Sequence, residues 1–439
     1  MDIHFDLPSF LWELIDQIRK HGYECFLVGG AVRDMLLGKE PKDYDLATNA
    51  TVPQIEFVFD GVQKINNNGR KHGTVTVRTH KHNVEISTYR FEEGRRPTIE
   101  EDLAHRDLTI NAMAYDGEKL LDPYGGQADI NAHRLKTPMD PEKIFREDPL
   151  RMLRILRFHS KYGYDIDPSI SEQIRHLASL IMDVAKERVL AELREVLLAQ
   201  DITDVLLRYD ALFASIFPDL QDTIGFDQHN HWHAHELYDH IAHVVGKTKP
   251  DFITRLAALL HDNGKVHTVS IEKKDAEIIY HFPAHPFVSA QLAEPILKQY
   301  RLPSVEVAQI LFLIRFHDSK IAATRQSVRR FLAHCSDIPG IDPLTLLSKL
   351  LDLQQADHAD HTILIPIPVE EILSIAKDIL ENKEAFSLKD LAIDGNDLMK
   401  MGLQGKAIGV ALHYALEEVM SERAPNEKDA LLQRIRAVF

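Results

Sequence analysis

Apolar positions change their period several times along the chain. Phe10, Leu11, Leu14, Ile15 and Ile18 recur at three- and four-residue steps, predicting an amphipathic helix over Leu7 to His21. Cys25 to Val28 is an uninterrupted apolar run and predicts a buried strand. Gly29-Gly30 breaks it, and Ala31 to Leu37 returns to helical spacing. Val52 to Phe59 predicts another helix. Gly69 to Val77 and Asn83 to Tyr89 alternate apolar with polar residues, as two strands joined by a polar turn around His80 to His82. Phe91 to Asp102 carries charges, Gly94 and Pro97, and predicts a loop. From Pro141 to about Leu220 the spacing stays helical, punctuated by Gly163 and Pro168. Phe252 to Leu260 predicts a largely apolar helix that runs into His261-Asp262.

The first break in pattern carries candidate chemistry. A strand, a glycine turn and a helix N-terminus present free backbone N–H groups, which suit a triphosphate. Gly29, Gly30 and Arg33 are its candidate contacts, with Arg33 equally placed to pair with Asp34. Asp43 and Asp45 follow one residue apart; in an extended segment both point to one face. Two hard oxygen ligands side by side suit one or two Mg²⁺ ions against a nucleotide's phosphates. Glu85 either faces this pair from a neighbouring strand or is a surface cross-strand partner.

Composition narrows the classes. A chain of 439 residues predicts two to four domains. No apolar run approaches a membrane span, and no basic-then-apolar stretch opens the chain. Cys25 and Cys335 are the only cysteines, which excludes a disulfide framework or zinc–thiolate site and reads as cytoplasmic. A net charge of −16 excludes a broadly electrostatic nucleic-acid binder. Lys136, Lys143, Arg146, Arg151, Arg154 and Arg157 nevertheless concentrate positive charge in one segment.

Leu27-Val-Gly-Gly-Ala-Val-Arg33-Asp34, the Asp43/Asp45 pair, Arg106-Asp107-Leu-Thr-Ile-Asn111, Asp122-Pro-Tyr-Gly-Gly126 and Arg146-Glu147-Asp148-Pro-Leu-Arg151 occur in that order. Together they resemble the class II tRNA nucleotidyltransferase and bacterial poly(A) polymerase family, followed by a phosphohydrolase module of the HD type. The resemblance implies an α+β fold. A small polymerase-β-like head with a mixed sheet would occupy 1–137, a helical neck 138–222, an HD domain 223–370 and a helical tRNA-holding tail 371–439. Ile393 to Leu398 and Gly402 to Gly409 resemble the helix-capping glycine pattern of that tail.

It also implies roles. Asp43 and Asp45 would be catalytic and hold Mg²⁺ for template-independent nucleotidyl transfer. Arg106, Asp107 and Asn111 would contact the sugar, with His105 standing where the family usually has Arg, and Asp122 to Gly126 would be a structural turn. Asp148 and Arg151 would share a helix face beside Glu147 and read the base, with a carboxylate for the cytosine amino group and a guanidinium for its ring nitrogen and carbonyl. Arg154 and Arg157 complete the expected nucleotide contacts. The partners would be the 3′ end and acceptor arm of tRNA and CTP, with ATP as a second nucleotide. The Phe91–Asp102 loop lacks a segment that many CCA-adding members carry, which implies an enzyme that adds CC and stops. Complete CCA addition, A addition and poly(A) synthesis are the alternatives, and a phosphohydrolase with an RNA-binding head is the reading from a different class. For the HD module, His240, His261, Asp262 and Asp318, with His285 and His317 as further candidates, would hold a divalent transition metal that activates water. The histidines at 229, 231, 233 and 235 read as solvated, His233 being one more possible ligand.

Overall fold

The computed structural model describes residues 4–60, 64–66, 73–79, 82–90, 97–229, 235–274, 277–362 and 366–439. The chain folds as two compact units, Met1–Val196 and Leu197–Phe439. The division falls inside the long helical stretch read as a neck.

The first unit is built on a mixed sheet of β1 (Cys25–Val28), β2 (Tyr44–Thr48), β3 (Lys64–Asn66), β4 (Thr74–Arg78), β5 (Asn83–Thr88), β6 (Ala114–Tyr115) and β7 (Leu120–Leu121), in the order β3-β4-β5-β2-β1-β6-β7. β2 is central, parallel to β5 and antiparallel to β1. The helix Ser9–Lys20 buries Leu11, Leu14, Ile15 and Ile18, the stripe its spacing predicts. Val28, Ala47, Tyr89, Ile99 and Leu103 form one of the apolar clusters of this unit.

The predicted loop Phe91–Asp102 needs correction at one end. Phe91 to Arg96 lie outside the described residues, but Ile99–Ala104 is a helix. Thr98 and Glu101 bond each other's backbone amides across its first turn, a capping box that Thr-x-x-Glu announces. The turn at His80 and Lys81 lies outside the described residues, as does the part of the predicted strand before Gly73.

Among its described residues the second unit is helical apart from one antiparallel hairpin, Ser270–Lys274 with Glu277–His281. Phe252–Leu260 is buried at every position, its one charged residue, Arg255, included; Arg255 donates to the carbonyls of Leu197, Ala199 and Thr248. Near the C-terminus, Leu398, Ala411, Ala415, Leu431 and Ile435 close a separate small core. Among the described residues no helix is long and apolar enough to cross a membrane.

Candidate functional site

In the first unit, β1 ends at Val28 opposite Asp45, and Asp45 in turn lies opposite Glu85 on β5. Gly29 makes the turn into the helix Gly30–Leu36 with φ +72°, a conformation that L side chains rarely adopt. A Cβ there would sit 2.8 Å from Arg106 Nη1 and 3.5 Å from Asp45 Oδ2, so glycine is required twice over. Asp43 is exposed one residue before β2. Burial pushes the Asp45 carboxyl above its ordinary range; Glu85 and Asp43 add to this, and Arg106 opposes it. Three carboxylates crowding one spot is an arrangement that a divalent cation relieves. Arg106 gives Nη2 to Asp102 at 3.2 Å, while its buried Nε has no partner.

Behind this edge runs a continuous polar chain. Arg33 donates Nε and Nη2 to Asp34 at 3.0 and 2.7 Å and Nη1 to Asn111 at 2.5 Å. Its guanidinium also lies over the rings of Phe158 and Tyr162. Asn111 Nδ2 donates to Asp107 Oδ1 at 2.8 Å, and Arg154 grips Asp107 Oδ2 through Nε and Nη2 at 2.9 and 2.6 Å. Arg157 Nε reaches Glu192, which Arg154 also approaches at 3.7 Å. Of the two roles read for Arg33, pairing with Asp34 is thus the one in place. Burial alone would raise Asp107, yet Arg154 and Asn111 hold it well below the usual carboxylate range. Asp122 accepts from the amides of Gly126 and Gln127, the structural turn its motif suggested.

The expected 148/151 helix face is not present. Asp148 is extended, with φ −150° and ψ 98°, between the helices Pro141–Glu147 and Leu150–Tyr162. Pro149 explains this, since it disfavours helical backbone at the residue before it. Asp148 accepts from Leu150 N and pairs with Arg188 at 2.8 Å. Arg151 is buried and spends its donors on Ile144 O, Glu147 Oε2 and His105 O. His105 Nδ1 meets the other Glu147 oxygen at 2.7 Å. So His105, Glu147 and Arg151 form a ring that leaves Asp148 out.

In the second unit, helix ends converge on one buried cluster. Nδ1 of His261, His285 and His317 donates to the carbonyls of Ala258, Phe282 and Ile314 at 2.7–2.8 Å, and Nδ1 of His240 donates to Asp360 Oδ2 at 2.8 Å. These acceptors orient the rings, so each Nε2 faces the centre, where it can carry a proton or, once that proton is displaced, ligate a metal. His240 and His261 lie 3.4 and 3.3 Å from Asp262 Oδ2, and His285 and His317 lie 3.2 and 3.5 Å from Oδ1. Asp357 Oδ1 is 3.1 Å from His240 Nε2, and Lys265 Nζ is 2.7 Å from Asp262. Both Asp262 oxygens and Nε2 of His261 are buried without a well-formed hydrogen bond. Nε2 atoms of His285 and His317 face one another at 3.2 Å, which needs a proton or a cation between them. The donor set suits a divalent transition metal.

The groups of the cluster are strongly coupled. Burial would raise Asp262 and Asp357, but neighbouring imidazoles, and for Asp262 also Lys265, hold both well below the carboxylate range. Burial would lower His240, but Asp262, Asp357 and Asp360 push it up to about 10. Gly264 makes the cluster possible: a Cβ there would lie 2.6 Å from His285 O and from Ser289 N, in the first turns of the helix His285–Gln299.

Asp318 is a correction. It is exposed and belongs to none of the metal-capable groups among the described residues, because the chain turns outward after His317. Asp357, in the last turn of the helix Pro343–His358, stands in its place. The missed signal was Asp357-His-Ala-Asp360-His361 closing a largely apolar helix. His233 lies outside the described residues.

Three family models match the chain: "Poly A polymerase head domain" over residues 25–136, "Probable RNA and SrmB- binding site of polymerase A" over 163–224, and "tRNA nucleotidyltransferase domain 2" over 342–435. A CCA-adding enzyme of Bacillus pumilus is 38% identical over 196 residues, 42% of this chain and 48% of that one. A CC-adding tRNA nucleotidyltransferase of Halalkalibacterium halodurans is 40% identical over 187 residues, 42% and 47% of the two chains. The match thus spans about half the length of these relatives. The solved structure of the Bacillus stearothermophilus CCA-adding enzyme in complex with CTP covers 98% of this chain and 99% of its own, with a TM-score of 0.72 and 23% identity, a likeness of fold. The chain belongs to the class II tRNA nucleotidyltransferase family.

Proposed function

We propose that the first unit transfers CMP from CTP to the 3′ end of tRNA and stops after the second cytidine. The observation that carries the transfer reading is the placement of Asp45 between Val28 and Glu85, beside the glycine turn and Arg106. Asp43 and Asp45 would hold Mg²⁺, which supplies activation of the tRNA 3′-hydroxyl and charge neutralisation of the leaving pyrophosphate. The amides after Gly29 and the Arg106 guanidinium bind the phosphates, and the Asp107–Asn111 pair, fixed by Arg154 and Arg33, positions the sugar. Asp148 and Arg151 read the cytosine once Arg151 exchanges its present partners for the base. Stopping after CC is supported by the short Phe91–Asp102 stretch of the sequence. We place the protein in the cytoplasm, where tRNA is matured and where its two free, buried cysteines stay reduced.

The convergent imidazole Nε2 atoms favour a second activity. A divalent transition metal held by His240, His261, Asp262 and Asp357, with His285 and His317, would supply a nucleophilic hydroxide for phosphate-ester hydrolysis. Lys265, paired with Asp262, holds that carboxylate in place. Asp45→Ala tests the first reading and His261→Ala the second. The former should abolish CMP incorporation while tRNA binding persists, and the latter should remove only phosphatase activity. Full incorporation by Asp45→Ala would overturn the assignment of the transfer centre.

A further inference from the structure

Beside the buried cluster lies a separate group of donors. His243, one turn beyond His240 on the helix Leu237–Lys247, directs a buried Nδ1 that has no hydrogen-bond partner. That atom is 3.9 Å from Asp360 Oδ1, and the His235 ring lies 4.4 Å from the His243 ring, centre to centre. One donor atom from each of His235, His243 and Asp360 falls within 4.8 Å of the other two. Tetrahedral zinc with bonds near 2.1 Å needs donors roughly 3.4 Å apart, so rotation about side-chain bonds is enough to close the site. The backbone at His235 is anchored: its carbonyl accepts from Gln228 at 3.2 Å, and Gln228 in turn accepts from Lys265 at 2.9 Å.

We propose that His235, His243 and Asp360 form a second divalent-metal site, suited to Zn²⁺ or Co²⁺, that regulates the buried cluster. Two imidazoles and one carboxylate leave the fourth position to water. Asp360 joins the two sites, because its Oδ2 accepts from His240 Nδ1 at 2.8 Å while its Oδ1 faces His243. An ion on Oδ1 draws charge from the carboxylate that orients His240, and so weakens Nε2 of His240 as a ligand. Lys247 competes for the same oxygen at 2.6 Å and also donates to Ala359 O at 2.9 Å; its half-exposed side chain gives up the Asp360 contact when an ion takes its place. The metal site stands on its own donors, while its regulatory effect rests on the phosphohydrolase reading.

Equilibrium dialysis of the full-length protein against Co²⁺, with bound metal counted by mass spectrometry, tests this. Wild type should bind one equivalent more than His243→Ala or His235→Ala, both of which keep the buried cluster's ions. Lys247→Met should tighten that equivalent by at least about tenfold, because a competing cation is gone. His261→Ala should keep the His243-dependent equivalent and lose metal elsewhere. If it loses nothing, the phosphohydrolase reading fails and the second site survives. Excess Zn²⁺ should slow p-nitrophenyl phosphate hydrolysis by wild type more than by His243→Ala. Equal stoichiometry and affinity in wild type, His243→Ala and His235→Ala would overturn the proposal, and so would an extra equivalent that disappears with His261→Ala instead.

Discussion

Replacing Arg154 by Met tests whether the polar chain behind the Asp45 edge holds the first unit together. Asp107 is 7% exposed and receives two Arg154 bonds at 2.9 and 2.6 Å on Oδ2; Oδ1 keeps Asn111 Nδ2 and Leu108 N. Breaking a fully buried ion pair costs about 3–5 kcal/mol. The Arg154 side chain is 37% exposed and half of Asp107's bonds remain, so the expected loss is about 2–3 kcal/mol. For a unit of this size that lowers the melting temperature by roughly 4–12 °C. Glu192 stays paired with Arg157 and should contribute no further loss.

The pH dependence has a definite sign. Asp107 is depressed in the folded chain, so its contribution is complete above the unfolded carboxylate value near 3.9 and is lost as pH falls through the lower folded value. The stability gap between wild type and variant should be flat from about pH 5 to 8 and narrow below about pH 4. Urea unfolding followed by Trp12 fluorescence, with Trp232 replaced by Phe in both proteins, reads this unit alone. A gap under about 0.5 kcal/mol, or one that widens in acid, would refute the reasoning.

Arg151→Ala should lower discrimination between CTP and other nucleotides by about 1–3 kcal/mol, read from competing incorporation, whereas unchanged selectivity would leave Arg151 only its present structural bonds. Gly264→Ala should destabilise the second unit by about 1–3 kcal/mol in thermal unfolding, because the clashing atoms are backbone and cannot rotate away. Asp357→Ala should lower the buried cluster's metal affinity at least tenfold in dialysis, by the measure of lost coordinating groups, while Asp318→Ala changes nothing. A loss confined to Asp318→Ala would reverse that assignment.

Elements with a strong local pattern are legible in the sequence. The stripe of Leu11, Leu14, Ile15 and Ile18, the apolar run of β1 and the largely apolar helix Phe252–Leu260 each state their burial through their pattern, although the buried Arg255 in the last of them does not. The glycine turn is legible because few residue types permit its backbone. Long-range partners are not. Nothing in local spacing says that Asp357 lies beside His240, 117 positions earlier, or that Arg154 reaches back to Asp107. Asp148 is misread because helical periodicity on both sides outweighs Pro149 between them. Asp318 is misread because adjacency to His317 on the chain is not adjacency in space; consecutive residues at a helix end point in different directions.

The central claim is nucleotide transfer that ends with the second cytidine. A single tRNA, prepared ending before CCA and after CC, incubated with Mg²⁺ and CTP, ATP or both, tests it most directly. Two cytidines on the first substrate and no adenosine on either are the expected products. Addition of the terminal adenosine would contradict the stop and make this a complete CCA-adding enzyme, and no extension with any nucleotide would contradict the transfer itself.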